Sequence, residues 1–166
     1  MTSTSILGTA ALVGATLSTA MVAGLLFCFA HCVMPGLATL DARDHLTAFQ
    51  RIDAAIANPW MGATYLGSPA LTLAALLLHL TSRGPAVPWL VVALVLILTT
   101  IAITAVAHLP INADVQSAAP VFEMAGDLRS RFDERWMPWN VVRTVTSTGA
   151  LAALTWALFT SGRAAG

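Results

Sequence analysis

The segment Val87–His108 reads VPWLVVALVLILTTIAITAVAH, 21 residues without a charge followed by a histidine. A run like this must be kept from water, either in a large core or in a bilayer. About 20 apolar residues suffice for a helix to cross the hydrocarbon layer. Composition decides between the two. Only 10% of the residues are charged, against about 25% in an ordinary soluble domain. Three more stretches share the character of this one, so spans are expected at about 6–34, 60–82, 87–108 and 141–160. Lipid offers the backbone no hydrogen-bond partner, and this selects helices. The expected fold is an all-α membrane protein, a single four-transmembrane-helix bundle over residues 1–166 with amphipathic helices in its two long connections, both on one membrane side.

The N-terminal run is expected to stay as a span. No positive region precedes it, and it is far longer than the roughly 7–15 apolar residues of a secretory signal. Cys28 and Cys32 stand four apart on one helix, a spacing that disfavours a disulfide, and they are expected to be small packing residues. The chain has no lysine and no basic cluster, so no nucleic-acid partner is expected. The lipid bilayer is the first expected partner. A bias to alanine and arginine suggests a bacterial inner membrane.

All eight acidic residues fall in the connections Pro35–Pro59 and Leu109–Trp139, together with Arg43, Arg51, Arg129, Arg131 and Arg135. The positive-inside rule therefore places the long connections in the cytoplasm. Leu46, Phe49, Ile52 and Ile56 form a one-sided apolar stripe that ends at Asn58-Pro59, and Val121, Met124, Leu128, Phe132 and Trp136 form a second. Both are expected to lie flat over the end of the bundle or in the interface, as a lid.

Residues three, four and seven apart share a helix face. Each span then has one stripe: Ala20, Gly24, Cys28 and His31; Thr64, Ser68 and Thr72; Thr100, Thr104 and His108; Trp136, Asn140, Arg143 and Ser147. Small residues permit close helix contact, so His31 is expected to face inward. Its row would also permit a homo-oligomer. Antiparallel topology brings His31, His108, Asn112, Asn140 and Arg143 to one level, with Asn58 beside them. Arg143 stands out because a central arginine costs roughly 2.5–3.5 kcal/mol to insert. Trp60, Trp89, Trp136 and Trp139 sit at span ends, where tryptophan also serves as an interfacial anchor.

Four spans, VMPGL after the first, an amphipathic stretch ending in NP, LPIN after the third and W..WN..R opening the fourth together resemble the anthrone oxygenase family. The matching positions are Pro35, Pro110, Asn112, Trp136, Asn140 and Arg143. The resemblance implies oxidation of an anthrone to an anthraquinone with dioxygen, in aromatic polyketide pathways and without an organic cofactor. On that reading the partner is an aromatic small molecule. His31 is the expected general base, Arg143 and Asn140 hold the enolate oxygen, and Asn112 orients. Trp136 or Trp139 stacks on the planar substrate, with His108 and Thr104 beside it. No dinucleotide loop, haem motif or iron–sulfur motif is present in the sequence. Two other readings stay open. His31 and His108 could bind iron or copper with Glu123 or Asp127. Alternatively, the chain is a membrane scaffold or partner subunit with tightly packed spans and no enclosed cavity.

Overall fold

A computed structural model describes residues 3–81, 84–118 and 124–165. Among these residues the fold is all-α, without strands. Helix α1 (Ser3–Cys28) passes through a π-turn (Phe29–Val33) into the short α2 (Met34–Leu37). Helix α3 (Ala42–Ile56) follows, then α4 (Pro59–Leu80) and α5 (Val87–Ile103). A second π-turn (Thr104–His108) joins α5 to α6 (Leu109–Ser117), and α7 (Ala125–Ala165) ends the chain. Four of the continuous helices are long and apolar enough to cross a membrane. They close a ring in which α1 packs on α4, α4 on α5, α5 on α7 and α7 on α1. The protein is an integral membrane four-helix bundle.

Two prolines account for the π-turns. Proline has no N–H for the carbonyl four residues back, and its ring crowds that carbonyl. For Pro35 and Pro110 those carbonyls belong to His31 and Val106, each inside a π-turn. The wider turn relieves the crowding, and the chain resumes with five-residue bonds from Met34 N–H to Phe29 O and from Leu109 N–H to Thr104 O. Each π-turn inserts one residue, which re-aims every side chain after it relative to an unbroken helix.

The interior is divided by chemistry. One end of the bundle is aliphatic and small, built on Leu12, Leu76, Leu90, Ile97 and Leu154. The other is aromatic, with Phe29, Phe49, Phe132 and Trp136 clustered beside Leu46 and Val115. Hydroxyl pairs cross between helices at mid-depth, Thr19 with Ser68 and Thr100 with Thr146, each at 2.7 Å.

Helix α3 caps the aromatic end as the first stripe predicts. Its cap is the Asp41 carboxylate, which accepts from Asp44 N–H at 2.9 Å. Leu46 and Phe49 are buried. Gln50 Nε2 donates to the Val115 carbonyl at 2.5 Å, and Gln116 Nε2 donates back to the Gln50 carbonyl at 3.2 Å. His45 Nε2 faces Asp133 at 3.3 Å, while Arg129 donates to the carbonyls of Leu40 and Ala38 at 2.7 and 3.0 Å.

The second stripe is placed differently. From Ala125 on it is continuous with the fourth span in one 41-residue helix. At 1.5 Å per residue that helix is about 60 Å long, twice the roughly 30 Å hydrocarbon layer. Its first turns, before the apolar part, therefore reach beyond the hydrocarbon layer and pack on α3 as a continuation of the span. Pro138 sits inside this helix without ending it. Val121 and Glu123 lie outside the described residues.

Candidate functional site

At the aromatic end, below α3, lies a cavity of about 810 Å³. Its upper part is lined by Phe49, Asp53, Asn112 and Gln116, and its deeper part by Tyr65, Thr104, His108 and Arg143. Phe29 and Trp136 complete an aromatic wall. The size falls within the roughly 300–1,000 Å³ of small-molecule sites, enough for a flat three- or four-ring molecule.

Arg143 is the dominant charge. It is 7% exposed within a membrane-spanning helix. Nη2 donates to Asn140 Oδ1 at 2.9 Å and Nη1 to Thr104 Oγ1 at 3.2 Å. Its Cζ stands 5.7 Å from the Trp136 ring centroid, within cation–π range. The Tyr65 hydroxyl lies beside the guanidinium. Among the described residues, ion pairs join His45 to Asp133, Arg129 to Asp133 and Arg135 to Asp114, and none includes Arg143. Its Nε is buried without a hydrogen-bond partner. Among the described residues the guanidinium therefore has no carboxylate in direct contact, and it keeps one unused donor.

Thr104 links this cation to Tyr65. Its hydroxyl donates to the Thr100 carbonyl at 2.8 Å, which uses its one hydrogen. The short contact with Tyr65 then makes the phenol the donor. One turn further along, His108 is 1% exposed, with its ring edge-on to Trp136 at 5.0 Å. Carbonyls of Ile103 and Trp136 lie near its ring, but neither ring nitrogen makes a well-formed hydrogen bond. Another turn along, Asn112 uses both ends of its amide. It donates to Asp53 Oδ1 at 2.7 Å and accepts from Trp136 Nε1 at 3.0 Å. Gln116 donates to the other Asp53 oxygen at 2.9 Å. Asp53 and Trp136 are thereby held from the same helix.

From spans three and four, Thr104, His108, Asn112, Trp136 and Arg143 line the cavity. Asn140 is fully buried behind Arg143, donating to the Leu26 carbonyl at 3.3 Å. It positions the guanidinium and does not line the cavity. Trp139 is 46% exposed on the outer surface. It follows Trp136 by three residues and so sits about 60° off the inward stripe.

His31 is corrected most. Its side chain is exposed, its ring tilted against that of the exposed Phe27 at 4.3 Å between centroids, and takes no part in the cavity. Gly24, Cys28 and Cys32 share that exposed surface. The inward row of α1 is instead Leu12, Ala15, Thr19, Val22, Leu26 and Phe29. Lipid tails and protein interior are equally apolar, so hydrophobicity does not separate the two faces, and a row of small residues does not mark the buried one here. Thr19, paired with Ser68, is the one polar marker of the buried face. Replacing His31 by alanine is expected to leave activity within about two-fold of wild type, as for surface positions away from special features. Steady-state turnover in nanodiscs checks this.

The suggested metal ligands are not brought together. His31 is exposed and His108 buried on another helix, Asp127 is exposed, and Glu123 lies outside the described residues. Among the described residues no three His, Cys, Asp or Glu side chains converge.

Sequence reasoning passes over Tyr65, Asp53, Gln116, Phe29 and Phe49 as site residues. Tyr65 stands three residues before Ser68 and extends the polar row of α4 by one turn. Asp53 stands four after Phe49, at the edge of the α3 stripe. Following those rows to their ends finds both.

No curated protein and no solved structure matches the chain. A family description, anthrone oxygenase, matches residues 58–153. That interval begins at the Asn58 cap of α4 and contains Tyr65, Thr104, His108, Asn112, Gln116, Trp136 and Arg143, the polar side of the cavity apart from Asp53 on α3. With more than half of its length inside the match, the chain belongs to the anthrone oxygenase family.

Proposed function

We propose that the protein oxidises an anthrone-like planar phenolic polycycle to the corresponding quinone with dioxygen, using the cavity beneath α3 and no organic cofactor. The observation that carries this reading is Arg143, a buried cation without a carboxylate partner, facing a cavity with aromatic walls. A cation in a water-poor site stabilises a forming oxyanion far better than it would in water. The substrate lies against Phe29, Phe49 and Trp136 with its carbonyl oxygen toward Arg143 and Tyr65.

His108 is the proposed base. It lines the cavity at the other end of the π-turn from Thr104. A neutral imidazole with no well-formed hydrogen bond has a lone pair to offer. It removes a proton from the methylene carbon opposite the carbonyl, and the negative charge appears on the oxygen at Arg143. The enolate passes one electron to dioxygen, and the two radicals combine to form a carbon–oxygen bond. After protonation this is a hydroperoxide. Loss of the second proton from that carbon, with cleavage of the O–O bond, gives the quinone carbonyl. The departing hydroxide takes a proton and leaves as water. One substrate and one dioxygen thus give one quinone and one water.

The test is dioxygen uptake and quinone formation by the purified protein in nanodiscs, using anthrone and ¹⁸O₂. The expected result is equal uptake and product, with one labelled oxygen in the quinone. Uptake no faster than the autoxidation measured with heat-denatured protein would rule the reading out.

A further inference from the structure

We propose that the substrate reaches this cavity sideways from the bilayer, through a portal between the first turn of α4 and the start of α6, and that Gly62 and Ala113 set its width. This rests on the functional reading above and adds the route to it.

Pro59 and Gly62 on one side, and Leu109 and Ala113 on the other, line the cavity and are also exposed. The wall is therefore open between them. The helices part here for a local reason. Helix α4 packs on α1 and α5, whereas α6 packs on α3 and α7. The π-turn at Thr104–His108 followed by Pro110 is the kind of break at which a helix changes direction.

The rim is graded in polarity. Next to the lining residues in sequence, Leu66, Val106 and Leu109 are 69%, 79% and 59% exposed on helices long and apolar enough to span, as side chains facing acyl chains are. On its outer side stand Asn58 and Gln116, both exposed. Trp60, 86% exposed, marks the interface beside the opening. The mouth therefore straddles the boundary between acyl chains and headgroups, the layer in which a flat phenolic polycycle accumulates. Helix α3 lies over the cavity, with Leu46 and Phe49 buried beneath it.

Small residues keep the portal open and its frame is stiff. A Cβ added at Gly62 would meet nothing within 4 Å. Asn58 caps α4 by accepting from Met61 N–H at 3.0 Å and ties back to the Ala55 carbonyl at 2.8 Å. The α3–α4 corner is thus fixed, and bulk added at Gly62 projects into the passage.

The experiment uses the full chain in phosphatidylcholine vesicles with 9,10-anthraquinone, read by stopped-flow quenching of tryptophan fluorescence. Trp136 reports from the cavity wall. The expected association rate follows the mole fraction of probe in lipid as lipid is varied at fixed total probe. Gly62→Phe and Ala113→Phe are each expected to slow association and dissociation together by roughly ten-fold, leaving Kd within about three-fold, since a narrowed passage changes rates and not affinity. A rate that follows the aqueous probe concentration, or unchanged rates in both variants, overturns the route and leaves the functional reading standing. Failure of the wild-type protein to bind the probe overturns both.

Discussion

Replacing Arg143 by glutamine is expected to lower kcat by about 10²–10³, the loss typical of removing a main oxyanion donor. The size follows from what surrounds the guanidinium. Among the described residues no carboxylate pairs with it directly, so its field acts on whatever lies beside it in the cavity. A glutamine can still donate to Asn140 Oδ1 or Thr104 Oγ1, which limits the structural cost to about 1–3 kcal/mol for any buried polar atom left unpaired. Arg143→Lys keeps the charge but not the planar fork that reaches Thr104 and Asn140 together. It is expected to retain substrate affinity and recover only part of the rate. The check is a split of kcat from KM, with thermal unfolding alongside. Turnover by Arg143→Gln within about two-fold of wild type, with the fold intact, would show that this cation serves structure alone.

Arg143 also shows what a sequence of this kind discloses. Four spans follow from apolar length, and the inward faces of α5 and α7 follow from rows of polar residues at helical spacing. Thr104, His108, Trp136 and Arg143 are therefore legible in the sequence alone. The first span is not. Its inward residues, Leu12, Val22, Leu26 and Phe29, are no more apolar than Leu17, Met21 and Phe27 on the lipid side. A bilayer removes the contrast that would mark a core in water, and the only histidine of that helix points to the wrong face. The division of roles within the site is equally hidden. Asn140 and Arg143 share a stripe, but the cavity takes the arginine and the bundle takes the amide. The π-turns after the first and third spans are hidden in the same way. Pro35 and Pro110 are visible in the sequence, but the extra residue each inserts, and the re-aiming that follows, depend on how the helix absorbs the lost hydrogen bond.

His108→Gln is expected to reduce kcat by about 10²–10⁴, the range for loss of a general base. Glutamine is close in volume and can still be packed against Trp136, so the cavity wall should survive. Asp53→Asn provides the contrast. Both Asp53 oxygens accept amide hydrogens, from Asn112 and Gln116, so its role is to hold α3 and α6 together, and its loss is expected to affect stability more than chemistry. Two readouts separate a base from a wall residue. A substrate deuterated at the reacting methylene is expected to show a larger isotope effect in His108→Gln than in wild type, because proton removal becomes the slow step. In His108→Gly, added imidazole is expected to restore part of the rate, since the freed space lies on the cavity and the missing group is small. If imidazole fails to restore it and the isotope effect is unchanged, the proton goes elsewhere, and Asp53 is then the carboxylate on the cavity wall that can take it. A matching loss in Asp53→Asn would assign it there.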